Sequence, residues 1–413
     1  MLTHHSALDL VRERSPERPV ALVRPDAVAL AGSWFQQNFK GDVLYAVKAN
    51  PSPWVIETLR DSGITSYDVA SIPEIELVRS VQPDAKLAFM HPVKSRRAIT
   101  AAYFEHGVRT FALDTHEELD KILDATGRAK DLNLLVRLHV SAEGAAYTLS
   151  GKFGVSVEQA PALLLAARQA TNELMGVSFH VGSQCMRPTA YQAAMAQASR
   201  ALVRAGVFAD VVDVGGGFPS VYPGMVPPDL SDYVDSIHRG FDEMRVHETT
   251  ELWCEPGRAL VAESSSILAK VELKKGDALY LNDGSYGSMF DATHSRWPFP
   301  TKLVRPEGAA SGLLKPFRFY GPTCDSIDHM PGPFWLPEDV QEGDYIEIGM
   351  LGAYGVAMNT RFNGFGDNET AVVHDAPMAS MYGLARRSIP TPRLNEPTVV
   401  RFPRAKGRKT RRR

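Results

Sequence analysis

Long apolar runs are missing from this chain. No stretch of its 413 residues approaches the ~18 consecutive apolar residues of a membrane-spanning helix. Cysteine is scarce: Cys185, Cys254 and Cys324 are too few for a disulfide framework, so free thiols are expected. No His or Cys pair has ligand spacing such as HxxxH or CxxC, so no metal is expected. An excess of one charge is also lacking. The formal net charge of −3 gives the body of the chain no handle on nucleic acid. The start, Met1-Leu2-Thr3-His4-His5-Ser6, has no basic region leading into an apolar one. No secretion signal is expected, and the chain reads as a cytoplasmic enzyme.

What is present fits a folded enzyme. An apolar fraction of 44% with 23% charged residues is ordinary for a globular protein, and the length suits two domains, one of them a large barrel. Residues Arg401 to Arg413 carry eight Lys or Arg. They are expected to form a solvated, disordered tail, for which a nucleic-acid or acidic-surface contact stays open.

Eight short apolar runs have strand character: Val43–Lys48, Ser66–Val69, Lys86–Met90, Arg109–Leu113, Leu132–His139, Met175–His180, Val211–Val214 and Glu251–Glu255. Helical patterns separate them, and alternation of this kind implies parallel βαβ units. Eight such units fit a (β/α)8 barrel over residues 26–259. After Glu255 the texture changes to strands punctuated by Pro, Gly and Asn, which predicts an all-β C-terminal domain over residues 260–400. Residues 1–25 have no place in the barrel and are expected to pack against it as a separate N-terminal segment.

Barrels of this kind place their chemistry at the C-terminal ends of their strands. There the chain carries Lys48, Asp68, Arg137, His180, Ser183, the triplet Gly215-Gly216-Gly217, and Glu255-Pro256-Gly257-Arg258. A lysine at a strand end could simply extend its ammonium to water. Desolvated, it would lose its proton more easily and attack an aldehyde. Three successive glycines let backbone N–H groups approach an anion, and the loops after strands 7 and 8 of such barrels often hold phosphate. Lysine plus phosphate site suggests pyridoxal 5'-phosphate, with Lys48 as its Schiff-base partner, Glu255 at the ring nitrogen and His180 flat against the ring.

These motifs resemble the fold-type III pyridoxal-phosphate decarboxylases of basic amino acids, a group that includes ornithine, lysine, arginine and diaminopimelate decarboxylases. The carriers are Tyr45-Ala46-Val47-Lys48-Ala49-Asn50, Asp68-Val69-Ala70-Ser71, Phe179-His180-Val181-Gly182-Ser183-Gln184, Gly215-Gly216-Gly217-Phe218-Pro219, Glu255-Pro256-Gly257-Arg258, Gly321-Pro322-Thr323-Cys324-Asp325 and Gly352-Ala353-Tyr354. Together they span roughly residues 20 to 365. The resemblance implies a homodimer with shared active sites. It implies that Ser183, Gly217, Gly257, Arg258 and Tyr354 hold the phosphate, and that Asp68, Glu74 and Arg137 stand behind the cofactor. Cys324, from the other subunit, would be the proton donor, and Asp325 would receive the distal amine of the substrate. Lys152 and Asp328 would bridge the dimer interface.

Cys324-Asp325-Ser326 stands where diaminopimelate decarboxylases tend to carry Cys-Glu-Ser. The shorter acid favours ornithine, giving putrescine for polyamine biosynthesis, or lysine. One departure stands out. After Tyr286-Gly287-Ser288, an ungapped match puts Ser295 where eukaryotic ornithine enzymes carry a second distal-amine aspartate. Asp291 is the expected substitute, with Tyr286 also at the substrate. A racemase on the same barrel would typically place arginine, not Glu255, at the ring nitrogen. A non-catalytic regulatory relative would usually have lost cofactor contacts that this chain keeps.

Overall fold

The computed structural model describes residues 2–141, 144–147 and 151–384. The basic stretch after Arg401 lies outside them. Eight parallel strands form the first body: β1 (Asp42–Ala46), β2 (Ser66–Val69), β3 (Lys86–Phe89), β4 (Thr110–Leu113), β5 (Asn133–His139), β6 (Met175–Ser178), β7 (Val211–Asp213) and β8 (Glu251–Cys254). They pair in chain order, and β8 returns to β1, which closes the barrel. Helices cross between them, as the alternating pattern predicts. Their starts are chemically marked. Ser71, Ser95 and Thr115 each accept a backbone N–H three residues on, so their side chains satisfy donors that the first turn leaves free.

The period-two alternation of the strands explains the site. Leu44, Ala88, Ala112, Leu135, Val211 and Trp253 form one buried cluster shared by the strands. Met90 still belongs to that cluster, but two residues further on along the other strands the same face carries Ala46, Asp114, Arg137, Asp213 and Glu255. The apolar plug therefore gives way to charge at one end of the barrel.

The second body is a nine-stranded sheet system built around the long strand Ser265–Lys275. Here the sequence reading needs correction. Residues 1–25 are not a separate segment lying against the barrel. Val20–Val23 pairs antiparallel with Ser265–Leu268 and parallel with Glu369–Val372, and Leu2–His4 pairs with Ala371–Val373. All four residues of Val20–Val23 are buried, and a strand covered on both faces needs neighbours on both edges. Those neighbours come from some 240 and 350 residues away, which no local pattern reveals.

Arg24 fastens this junction. Its side chain, 5% exposed, bonds Glu347 at 2.9 Å, Asp375 at 2.7 Å and Ser266 at 3.0 Å. Arg24→Met leaves the buried Glu347 without its cation. The expected cost is about 3–5 kcal/mol, read as a lower urea midpoint at unchanged slope. A midpoint within error of the parent's would rule out this role.

Candidate active site

Lys48 lies just past the end of β1, on the short turn Val47–Ala49 rather than in the strand itself. Asn50 makes that turn. Its N–H bonds the Val47 carbonyl, its carbonyl accepts from the Tyr45 hydroxyl, and its side-chain amide donates to the Gly352 carbonyl at 2.9 Å. The Tyr354 N–H bonds the Ala49 carbonyl at 2.8 Å. The second body therefore clamps the lysine turn from above.

Lys48 Nζ donates to Asp68 Oδ2 at 2.9 Å. The side chain keeps 45% of its surface accessible, yet protein surrounds it closely enough for burial to oppose its charge. The expectation of a lowered pKa nevertheless fails. Asp68 and Glu255 outweigh desolvation and hold Lys48 above the ordinary lysine value. In the protein alone it is an ammonium, and Asp68 is the base in contact with it.

Glu255 follows β8 and Asp213 ends β7. Both are buried, and they lie against each other. Asp213 Oδ1 accepts the Gly215 N–H at 2.8 Å, while Asp213 Oδ2 and Glu255 Oε1 have no donor among the described residues. Two such carboxyl groups can bond only if one keeps a proton. Burial, then Asp213 and Asp68, push Glu255 well above the usual carboxylate range, and burial raises Asp213 to about 6. A raised folded pKa means that stability is lost as pH rises through it. The apoprotein is therefore expected to lose stability from about pH 4 through 6 and beyond, and Asp213→Asn to flatten that profile in urea melts. An identical profile in the variant would remove the pair as its cause.

His180, after β6, accepts the Gly182 N–H on Nδ1 at 2.9 Å, so the proton of the neutral ring sits on Nε2. Burial, then Arg137 and Lys48, push its pKa well down and keep it neutral. The ring lies against the glycine triplet. A Cβ on Gly216 would come 2.8 Å from the Glu255 carbonyl oxygen and 3.1 Å from His180 Nε2. Gly217, at φ 107°, approaches the Gly182 carbonyl closely, and a Cβ there would meet it at 2.7 Å. Arg258 Nη2 reaches Ser183 Oγ at 3.4 Å and Nη1 reaches the Tyr222 hydroxyl at 2.9 Å. Its guanidinium lies 4.1 Å from the centre of the Trp297 ring and 4.9 Å from that of Tyr354. Tyr354 itself is held at φ 60°, an uncommon conformation for a side chain of this size. Gly257 packs tightly on the lysine turn, where a Cβ would meet that of Ala49 at 3.0 Å.

One barrel end thus gathers Lys48, Asp68, Arg137, His180, Ser183, Gly215, Gly216, Gly217, Glu255, Gly257, Arg258 and Tyr354. Cys324, Asp325 and Tyr286 are elsewhere. Cys324 is exposed, and its N–H and thiol both bond Asn363 Oδ1 at 3.2 Å. The Tyr286 hydroxyl donates to Asp325 Oδ2 at 2.7 Å. Among the described residues no hydrogen bond or ion pair joins these groups to the barrel end. Asp291, expected at the distal amine of the substrate, has its carboxylate 3.5 Å from the Arg258 guanidinium. Asp328, expected at the dimer interface, is held inside its own chain. It is 2% exposed and accepts four hydrogen bonds within its own chain, from the N–H and hydroxyl of Ser285 and of Thr323. Lys152 lies 4.9 Å over the Phe153 ring. Asp213, Tyr222 and Trp297 were not anticipated. Only Asp213 carried a signal, as a carboxylate in phase with the buried face of β7 just before the glycines.

The barrel and the chemistry at its mouth define a class of enzyme that holds a phosphorylated aldehyde through a lysine. Two features fit that cofactor: the partnerless, buried Glu255 Oε1 for a ring nitrogen, and a glycine cradle beside Arg258, whose buried Nε also lacks a partner. Residues 27–262 match the family described as pyridoxal-dependent decarboxylase, pyridoxal binding domain, and the chain belongs to that family. It is 33% identical over 346 residues to a lysine/ornithine decarboxylase of Selenomonas ruminantium, covering 82% of this chain and 85% of that one. It is 30% identical over 348 residues to antizyme inhibitor 2 of Xenopus laevis, covering 78% and 73%. The arginine decarboxylase of Paramecium bursaria Chlorella virus, solved with agmatine, superposes with a TM-score of 0.79 at 26% identity, covering 88% of this chain and 98% of that one. No helix among the described residues is long and apolar enough to cross a membrane.

Proposed function

We propose that the protein is a basic amino-acid decarboxylase that uses pyridoxal 5'-phosphate and prefers L-ornithine, releasing putrescine, with lysine as the nearest alternative. The observation that carries this reading is the meeting of Lys48, Glu255 and Arg258 at one barrel end. When bound, the cofactor supplies the sink for the electron pair freed as the Cα–carboxylate bond breaks. The chain supplies the rest. Asp68 takes the proton that Lys48 must shed to act as an amine. Glu255 Oε1 would face the ring nitrogen and, with Asp213 against it, would favour holding a proton there. The neutral His180 ring stacks without adding charge. Ser183, Gly217 and Arg258 hold the phosphate, and Tyr354 closes over the guanidinium.

Asp325 supports a diamino acid. The Tyr286 hydroxyl and the Ile327 N–H lower its pKa, so it stands as an ionised carboxylate suited to a distal ammonium. Cys324 beside it returns a proton to Cα from its thiol. These two residues act in the site of a second copy of the chain. The test is a comparison of kcat/KM for ornithine, lysine, arginine and diaminopimelate. Ornithine is expected first and lysine second. Diaminopimelate or arginine in first place would reject the substrate reading. Cofactor trapped on Lys48 by borohydride with no carbon dioxide from any of the four would favour a non-catalytic regulator.

A further inference from the structure

Arg258 faces an anion supplied by its own chain. Its Nη2 lies 3.4 Å from Ser183 Oγ and 3.5 Å from Asp291 Oδ2, so one carboxylate already shares the edge of the guanidinium that points to the phosphate cradle. Its Nη1 is taken by Tyr222, and the rings of Trp297 and Tyr354 cover it. The guanidinium therefore has little freedom to turn toward a second anion while keeping the first. Asp291 is fixed as well. It sits on the short helix Phe290–His294, and its carbonyl accepts the N–H groups of Ser295 and Trp297. Its side chain is 18% exposed.

We propose that Asp291 is an internal competitor for the phosphate site: a phosphate held by Ser183, Gly217 and Arg258 takes Nη2 from Asp291, whose carboxylate then takes up a proton. The inference rests on the reading of this barrel end as a phosphate site. It goes beyond it by making cofactor binding proton-linked through a residue outside the cradle. The groups around Asp291 fit. Burial pushes its pKa up, and Arg258 and then His294 hold it down. Tyr222 faces it across Arg258, and the strand His329–Pro337, which begins with His329, packs on its helix. A phosphate on Arg258 removes the larger of the two restraining charges and adds a negative one. Both changes favour the protonated acid.

The test is equilibrium binding to the apoprotein between pH 6 and 8.5, followed by the absorbance of bound cofactor. Pyridoxal 5'-phosphate is compared with pyridoxal, which lacks the phosphate, for the parent and for Asp291→Asn and Asp291→Ser. At pH 8 both variants are expected to bind the phosphorylated cofactor about tenfold more tightly, the equivalent of one pKa unit of coupling. The pH dependence should flatten relative to the parent, and pyridoxal affinity should not change. Unchanged or weaker cofactor binding in the variants overturns the proposal, as does a rise in KM for the amino acid as their only effect. Inorganic phosphate separates this idea from the reading it rests on. If no cofactor binds but phosphate raises the melting temperature more in the variants than in the parent, the competition stands and the cofactor reading fails. If cofactor binds equally well to parent and variants, the reverse holds.

Discussion

Lys48→Ala is expected to lower kcat/KM by at least ~10³-fold, about 4 kcal/mol of lost barrier reduction at 1.36 kcal/mol per tenfold. The loss has two sources that a second variant separates. Lys48 is both an amine and the cation opposite Asp68. Lys48→Arg keeps a positive charge for Asp68 but offers no nucleophile. If the covalent role dominates, both variants lose activity alike, and borohydride fixes no cofactor on position 48 in either. If charge balance against Asp68 and Glu255 were the main role, the arginine variant would keep most of the activity. A residual rate above a tenth of the parent's in the alanine variant would sink the assignment of Lys48.

The second large effect is a gain. Lys48→Ala and Cys324→Ala chains, each nearly inactive alone, are expected to recover about a quarter of the parent activity when mixed in equal amounts under conditions of subunit exchange. Half of the dimers would then be mixed, and each would have one of its two sites intact. The reason lies in the placement of Cys324. Its N–H and thiol are bound to Asn363 within the second body, and among the described residues it has no hydrogen bond to the lysine end of its own barrel. On the proposed reading, a proton donor there serves Lys48 across a subunit boundary. Recovery of no activity, with exchange demonstrated by mass, would place Cys324 outside the reaction or in the site of its own chain.

Much of the barrel was legible in the sequence because each βαβ unit is local. Ser66–Val69 begins and ends where the pattern predicts. Elsewhere the ends shift by a few residues. Lys48 leaves its strand because Asn50 folds the chain back on Val47. Between β5 and β6 the short strand Val155–Ser156 lies beside β5, and the helix begins at Ala160. The strand His329–Pro337 carries Pro331, Gly332 and Pro333, which mask its strand character in the sequence.

The sequence by itself determined which chemistry this protein can attempt. A lysine after one strand, glycines after another and an acid-glycine-arginine run after a third are covalent facts, and period-two alternation sends their neighbours to one face. Only the tertiary structure decided how those groups are charged and which of them meet. Asp68 and Glu255 reverse the pKa shift that burial alone would give Lys48. Asp213 presses a second carboxyl group on Glu255. Asp291 closes on Arg258, and Val20–Val23 pairs on both edges with strands that lie hundreds of residues away. Charge and proximity are properties of the space between chain segments, so a pattern along the chain does not carry them.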